Sequence, residues 1–361
     1  MKGKLLIAIC LLAVSATIGC GRKNITVTNA EELVQAIGSN RTIHLKPGDY
    51  DLYKLRLGKM THVVKDGLEE DANVTFRDVE NLTLVGEGDE PVEIIASNPL
   101  VYPLNFQRAK NVGLRNLRIG HEPQGSCAGG VIWMQDADGV EIDDCDLYGC
   151  GTEGLTLTNV RNATVRKSVI RDCSYGILTL EQCRNIRFIQ SDFRDNEQYH
   201  GLVIRDSSDV LFEKCLVSDN KVVDYQGNPR PLLSISSSSE VRFDGCLFRD
   251  NRAKILGTGG SPVEMVDCRF EGKTTPAEPD KGDEAQVAPP TPKQEPVKPA
   301  ESQPSARSYV IAEGDSFWKI AKKVYGNGRY WPLIAKANPG VDPTKLQVGQ
   351  TLTIPPKPKA D

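Results

Sequence analysis

The sequence predicts a mainly β protein in which a parallel β solenoid is followed by a small βααβ domain. Three observations predict this organisation. An apolar pattern with strand-like alternation recurs along residues 100–272. A proline-rich segment follows at 273–307, and helical spacing between two short strand patterns marks 308–355. Residues 1–19 are separate from all of these and have the composition of a targeting segment.

The targeting segment has a basic start and an apolar centre, and a cysteine follows it. Two lysines precede an apolar run from Leu5 to Val14, which is too short to span a hydrocarbon core of about 30 Å. Small residues then lead to Thr17-Ile18-Gly19-Cys20, which resembles a lipobox, and the whole segment resembles a bacterial lipoprotein signal peptide. The resemblance implies that Cys20 is diacylated and becomes the new N-terminus after removal of 1–19. Ordinary cleavage near Ala16 is the alternative.

The units of the solenoid have similar lengths and recur at steps of 28, 23, 23, 24 and 31 residues. A unit of about 23 residues with three short strands is one coil of a parallel β-helix. A left-handed β-helix is disfavoured because its hexapeptide period gives coils of about 18 residues. One aligned apolar column contains Phe106, Met134, Leu157, Leu180, Ile204 and Ile235, and a second contains Leu114, Ile142, Val165, Phe188, Phe212 and Phe243.

A leucine-rich repeat is the main alternative for this block, because residues 210–220 mimic its consensus. The apolar positions of the units are mostly β-branched or aromatic, which strands favour. The remainder of each unit shows another strand pattern rather than a helix. The sequence therefore favours the β-helix.

The residues before the first unit predict a cap. Asn29 and Glu32 have the spacing of a capping box at the start of a short amphipathic helix, and a strand-and-turn pattern follows at 42–50. A solenoid needs such a cap because its first coil exposes an unpaired edge and an open core. The arrangement resembles the N-terminal cap of the pectate-lyase-like right-handed β-helix superfamily. This resemblance covers 24–272 and implies the fold and its hand, without naming a substrate.

Most cysteines fall in columns that also accept other small residues. One column contains Cys145, Ser168, Ser191, Cys215, Cys246 and Cys268, and another contains Cys150, Cys173, Asn196, Asn220 and Asn251. The second column predicts an asparagine ladder between coils. No CxxC pair or nearby histidine has metal-ligand spacing, so we predict no metal site and no cofactor. Buried thiols are expected; coil-to-coil disulfides at Cys215–Cys246, Cys246–Cys268 or Cys150–Cys173 are the alternative in an oxidising compartment.

The segment 273–307 predicts a linker. Eight of its 35 residues are proline and none is aromatic, so it cannot bury enough apolar area to fold. An extended chain of this composition rises roughly 3.1 Å per residue, which gives a reach on the order of 100 Å.

Residues 308–355 contain a dense series of short motifs. They are Gly314-Asp315-Ser316, Trp318-x-Ile320-Ala321, Tyr325-Gly326, Trp331, Asn338-Pro339 and Gly349-Gln350-x-Leu352-x-Ile354-Pro355. With these motifs the segment closely resembles a LysM domain over its whole length. The resemblance implies binding of N-acetylglucosamine-containing glycans, chiefly peptidoglycan and chitin. It also implies a groove between two loops, formed by Gly314, Asp315, Ser316, Phe317, Asn338, Pro339, Gly340 and Val341. Trp318, Trp331 and Tyr325 are interpreted as the core of so small a domain.

One outward strip of the predicted β-helix carries the candidate chemistry. It has one indole, Trp133, as a platform for a sugar ring, and Glu181, His200 and Arg205 as a candidate acid–base set. His200-Gly201 resembles the His-Gly strand of polygalacturonases, but their paired aspartates and Arg-x-Lys partner are missing, so the activity is not carried over. The acidic run at 136–146 is interpreted as turn caps and a solvated face rather than a calcium site.

Three functional hypotheses follow. A net charge of −4 gives no basic footprint for nucleic acid. The first hypothesis is a non-catalytic envelope lipoprotein, held to the membrane through Cys20, whose LysM domain binds peptidoglycan while the β-helix binds glycan or a partner. The second is a wall-anchored polysaccharide lyase, hydrolase or epimerase. The third is a structural spacer between membrane and wall.

Overall fold

The computed structural model describes most of both folded blocks. The described residues are 22–66, 72–121, 129–149, 152–197, 200–223, 228–257, 261–272, 307–312, 317–325, 334, 337–338, 341 and 346–356. The predicted signal peptide, Cys20 and nearly all of the predicted linker therefore lie outside the described residues. None of the described helices is long and apolar enough to cross a membrane.

Residues 23–271 form a parallel β-helix with three long sheets, as predicted. Sheet 1 contains Val63–Asp66, Asn73–Arg77, Leu104–Gln107, Ile132–Gln135, Glu153–Thr158, Gly176–Glu181, His200–Arg205, Pro231–Ser236 and Lys254–Gly257. Sheet 2 contains Lys23–Val27, Arg41–Leu45, Glu80–Gly86, Lys110–Arg115, Asp138–Asp143, Arg161–Arg166, Arg184–Ile189, Ser208–Glu213, Ser239–Asp244 and Val263–Val266. Sheet 3 contains Gly48–Asp51, Val92–Ala96, Arg118–His121, Asp146–Tyr148, Val169–Arg171, Asp192–Arg194, Leu216–Ser218, Leu247–Arg249 and Arg269–Glu271.

The register of the sheets confirms the predicted columns. Met134 pairs with Phe106 on one side and Leu157 on the other, and the same parallel register continues along sheet 1 except at its terminal strand, Val63–Asp66, which is antiparallel to Asn73–Arg77. On sheet 2 the aromatic column places Phe212 between Phe188 and Phe243, with ring centroids 4.6 and 4.4 Å apart. These spacings match the distance between hydrogen-bonded strands, so one coil stacks directly on the next. The core is a continuous apolar stack along the solenoid axis.

The coils turn by means of residues in the left-handed backbone region. Asn and Asp tolerate this region because their short polar side chains bond locally. In the turns between sheets 1 and 2 the positions with positive φ are Asp78, Arg108, Asp136, Asn159, Gln182, Asp206 and Ser237. Each is followed by a small or β-branched residue that faces inward, which lets the chain bend sharply into the next sheet.

The predicted asparagine ladder is confirmed. The side chain of Asn196 donates to Asn220 Oδ1 at 2.9 Å, and Asn220 donates to Asn251 Oδ1 at 2.9 Å. The backbone N–H of Cys173 continues the ladder to Asn196 Oδ1. The cysteines that the structure describes are free thiols, all buried except Cys268. Burial raises the pKa of Cys145 to about 12, which keeps this thiol protonated.

A short helix, Ala30–Ala36, closes the N-terminal end of the solenoid. Asn29 is its N-cap, and its Oδ1 accepts from the N–H of Glu32 at 2.9 Å, as the capping-box spacing predicts. The return bond differs from the expected one: Glu32 Oε2 accepts from the N–H of Thr28 rather than from Asn29. Leu33 and Val34 of the helix are buried against the first coil.

The C-terminal domain has the predicted strand–helix order where it is described. Strands Arg307–Val310 and Thr351–Ile354 pair in antiparallel fashion, and a helix spans Phe317–Tyr325. Its core residues are Ile311, Ile320, Ala321, Ile334, Leu352 and Ile354. Most of the predicted second helix lies outside the described residues.

Candidate functional site

The outward face of sheet 1 carries two columns of polar side chains. The first column runs Trp133, Thr156, Thr179, Val203 and Ser234, and the second runs Gln135, Thr158, Glu181, Arg205 and Ser236. The first column is uncharged along its whole length. The alternation predicts an exposed side chain at Val203, whereas this side chain is only 3% exposed.

An aromatic pair lies on this face at the fourth strand of sheet 1. The rings of Tyr102 and Trp133 lie 5.8 Å apart and are tilted by 40°. Gly130 makes room for the tyrosine, since a Cβ there would lie 2.3 Å from Tyr102 Cε1. Beside the pair, Trp133 Nε1 and the hydroxyls of Thr152 and Thr156 are buried, and none of them has a hydrogen-bond partner in the described part of the chain. The aromatic rings themselves offer an apolar surface of the kind that stacks on the face of a sugar ring.

Sequence reasoning found Trp133 but missed Tyr102. The tyrosine reaches the indole from a loop 31 residues earlier, and no column alignment extends into that loop. The sequence offered one signal: Gly129-Gly130 precedes the Trp133 strand, and paired glycines mark a close approach of other atoms.

The candidate acid–base residues are only partly brought together. Glu181 and Arg205 are direct neighbours on adjacent strands. His200 lies at the opposite end of the Arg205 strand, five residues away, which is about 16 Å at the usual rise. Its ring instead contacts Tyr175, with centroids 5.1 Å apart. The three residues therefore do not surround one point in this structure.

The His200-Gly201 dipeptide has a packing explanation. A Cβ at Gly201 would lie 2.0 Å from the carbonyl oxygen of Leu232 on the next coil. Glycine is thus required for the close stacking of these coils. His200 itself lies across Gly176 from Glu153, because the three occupy one register position on adjacent strands.

The acidic run at 136–146 is engaged within the β-helix. Asp136 and Asp138 accept from Asn159 and Asn162, at 2.6 and 2.7 Å. Asp143 pairs with Arg166, and this guanidinium holds the pKa of the carboxyl below its usual range. Asp146 pairs with Arg118 and Arg171. Within the described residues no group of His, Cys, Asp and Glu could hold a metal ion.

The corner between sheets 3 and 1 contains a buried histidine. His121 is 1% exposed, and its Nε2 lies 3.0 Å from the carbonyl oxygen of Gly130. Burial lowers the pKa of the imidazole, so His121 is neutral in the fold. Its Nδ1 has no hydrogen-bond partner in the described part of the chain. The residue fixes the approach of the chain to the Trp133 strand.

Two of the predicted glycan-binding residues of the C-terminal domain can be examined. The side chain of Asn338 donates to the carbonyl oxygens of Ile334 and Thr353 and accepts from the N–H of Thr353, at 2.7, 2.8 and 2.8 Å. Val341 N–H bonds back to the Asn338 carbonyl oxygen and its side chain packs against the core. Asn338 therefore ties the predicted loop to the closing strand.

The other predicted groove residues are Gly314, Asp315, Ser316, Pro339 and Gly340, which lie outside the described residues. Of Phe317, only the backbone at the helix start is described. Tyr325 packs against the domain core, as predicted, and its hydroxyl donates to the Pro355 carbonyl oxygen at 2.6 Å.

Comparison with known proteins supports both folds. The family described as "LysM domain" matches residues 309–355, and the family described as "Right handed beta helix region" matches residues 72–199 and 176–277. No curated protein matches the sequence. A pectate lyase (pelN) from Paenibacillus sp. 0602 is 11% identical, with a TM-score of 0.52 over 70% of this chain and 79% of that chain.

Two further solved structures are similar in the same way. Pectate lyase Pel9A is 10% identical, with a TM-score of 0.45 over 72% of this chain and 80% of that one. An alginate lyase from Paenibacillus sp. str. FPU-7 is 10% identical, with a TM-score of 0.45 over 70% and 99%. Similarity at such low identity concerns the fold alone. Because the β-helix description matches more than half of the sequence, the chain belongs to the right-handed β-helix family and carries a LysM domain at its C-terminus.

Proposed function

We propose that this protein is an exported lipoprotein of a bacterial cell envelope that binds peptidoglycan through its LysM domain. The observation that carries the proposal is the LysM match over residues 309–355, since such domains bind glycans that contain N-acetylglucosamine. The lipobox-like sequence ending at Cys20 supports export and attachment to a membrane. Peptidoglycan is the glycan of this type that an envelope protein would meet.

The proposed glycan groove lies between two loops of the LysM domain. Its residues are the predicted set Gly314, Asp315, Ser316, Phe317, Asn338, Pro339, Gly340 and Val341. The hydrogen bonds of Asn338 support a positioning role for this residue, because both the nitrogen and the oxygen of its amide bond to the backbone within the domain. Glycan contacts in the second loop would then fall to the neighbouring residues and their backbone groups.

The β-helix adds a second candidate activity, which is glycan binding on sheet 1. The Tyr102–Trp133 pair favours this activity, because aromatic rings stack on the apolar face of a sugar. Binding is favoured over catalysis because His200 stands about 16 Å along the strand from Arg205, and so from the neighbouring Glu181. The alternative of a lyase, hydrolase or epimerase needs a converging set of ionisable groups.

Co-sedimentation with purified peptidoglycan sacculi tests the proposal. An unlipidated form of the mature chain, which begins at residue 22, is compared with the same chain ended at Gly272, and soluble sugar is measured in the supernatant. We expect the mature chain to pellet, the shortened chain to stay in solution, and no sugar to be released. Equal pelleting of both chains would assign binding to the β-helix, and release of sugar would establish the enzymatic alternative.

A further inference from the structure

The N-terminal end of the solenoid is a distinct surface. It is formed by the first strand of sheet 2, Lys23–Val27, the capping helix Ala30–Ala36 and the loop of residues 52–62, which we name the end loop. The end loop connects the first strand of sheet 3 to Val63–Asp66, the terminal strand of sheet 1. All of these elements therefore lie at one end of the solenoid axis.

The chain enters the fold at this same end. The side chain of Arg22 donates to Thr83 Oγ1 at 3.0 Å, which fixes the first described residue against sheet 2. Cys20 is two residues earlier, so its Cα lies within about 7 Å of that of Arg22. A lipid attached to Cys20 would therefore hold the N-terminal end of the solenoid against the membrane surface.

The end loop is basic and partly apolar. The loop of residues 52–62 contains Lys54, Arg56 and Lys59 and no carboxylate, and Lys65 follows in the next strand. Lys54 pairs with Asp51 at 3.0 Å and Lys65 lies over the Tyr53 ring. Among the described residues, neither Arg56 nor Lys59 has an ion-pair or hydrogen-bond partner, and both are exposed. Two cations are thus available for an external anion.

A groove of about 450 Å³ separates the end loop from the capping helix. Leu57 and Met60 of the loop and Val34 of the helix line it, together with Arg56. Glu31 is the carboxylate at the edge of this groove. Half-buried leucine and methionine beside exposed cations are typical of surfaces that lie at a lipid–water interface.

We propose that the end loop is a second membrane contact, which binds the head groups of anionic phospholipids through Arg56 and Lys59. The inference rests on the proposed lipid attachment at Cys20, which brings this end of the solenoid to the membrane. The acyl chains supply the attachment, and the end loop orients the solenoid with its axis away from the bilayer. An anionic surface attracts each nearby lysine or arginine with a gain of about fivefold in partitioning.

Vesicle flotation of the unlipidated mature chain measures this contact. Phosphatidylcholine vesicles are compared with vesicles that contain about one third phosphatidylglycerol, at low ionic strength because salt screens the attraction. We expect binding to the anionic vesicles only. The double variant Arg56→Glu/Lys59→Glu should weaken partitioning by about 25-fold or more, since two fivefold contributions are lost.

A matched control reverses two exposed charges near the other end of the solenoid. Arg230→Glu/Lys254→Glu changes the net charge by the same amount, and should leave partitioning within about twofold of wild type. Equal loss in both double variants, or equal binding to neutral and anionic vesicles, would overturn the proposal. Arg56→Gln/Lys59→Gln provides a milder variant if the charge reversal unfolds the end loop, and it should still lose about 25-fold.

Lipid attachment is tested separately by metabolic labelling with palmitate. Labelling of wild type and its absence in Cys20→Ala would support the attachment whatever the vesicle experiment gives. Anionic-vesicle binding without any labelling would leave the basic surface established and remove the proposed anchor. The two failures are therefore distinguishable.

Discussion

Each residue of the asparagine ladder makes several buried hydrogen bonds. Asn220 accepts from Asn196 and donates to the Phe193 carbonyl oxygen and to Asn251, all in a buried setting. Removing one buried partner leaves the others unsatisfied, and each unsatisfied group costs about 1–3 kcal/mol.

We therefore expect Asn220→Ala to lower the free energy of unfolding by about 2–4 kcal/mol, measured by denaturant titration. Gln135→Ala, on the outward face of sheet 1, is the control and should change it by less than about 0.5 kcal/mol. Similar effects for the two substitutions would contradict the assigned role of the ladder.

The burial of His121 predicts that the stability of the β-helix depends on pH. Its pKa is lowered in the fold from the usual 6.5 by burial, so below this pH the unfolded chain binds a proton that the folded chain does not. The contribution of His121 to the free energy of unfolding is complete above pH 6.5. It is lost as the pH falls toward the pKa that His121 has in the folded chain.

The variant His121→Asn tests this prediction, with the unfolding midpoint measured between about pH 7.5 and 5. The variant should be less stable at neutral pH and should lose part of the decline that wild type shows on acidification. An unchanged slope would exclude His121 as its source.

Because most of the described cysteines are buried, we predict that their thiols react slowly with reagents in solution. Cys145 is desolvated and its pKa is raised to about 12, so little thiolate exists at neutral pH. We expect Cys145, Cys173, Cys183, Cys215 and Cys246 to resist maleimide in the folded chain and to react after denaturation, read by mass spectrometry. Rapid labelling of these residues in the folded chain would contradict their placement in the core.

At the scale of the coil, stacking of aromatic residues joins one unit to the next. Phe212 is fully buried between two stacked rings, and its neighbour Leu211 points outward from the same strand. Phe212→Ala should cost about 3–5 kcal/mol of unfolding free energy because it opens a cavity in the continuous core. Leu211→Ala should cost clearly less, and equal costs would show that the strand is in another register.

The sequence was sufficient to predict the elements that repeat. Each column of the β-helix was visible because the same register recurs at steps of 23 or 24 residues. The contacts that it could not predict come from parts that do not repeat. Tyr102 reaches Trp133 from a loop, and the end of the strand at which His200 lies is known only once the register is fixed.

The sequence also could not predict that a side chain on an outward face is buried. The alternation around Val203 marks it as outward, which is correct, yet its side chain is shielded from solvent. Alternation reports which face a side chain takes and carries no information about what covers that face.

At the scale of the whole molecule, the proposed attachment points lie at opposite ends of the chain. Cys20 would bind the membrane, and the LysM domain follows a predicted linker that can extend on the order of 100 Å. A tether of this length lets the LysM domain reach glycan at a distance from the membrane, while the β-helix stays at its surface. The protein would thus connect two layers of an envelope.

Binding of a defined sugar tests the central claim most directly. A soluble oligosaccharide of N-acetylglucosamine is titrated by calorimetry into the mature chain and into the chain that ends at Gly272. The account predicts saturable binding by the mature chain and none by the shortened one. Absence of binding by the mature chain, or equal binding by both, would contradict the assignment of glycan recognition to the LysM domain.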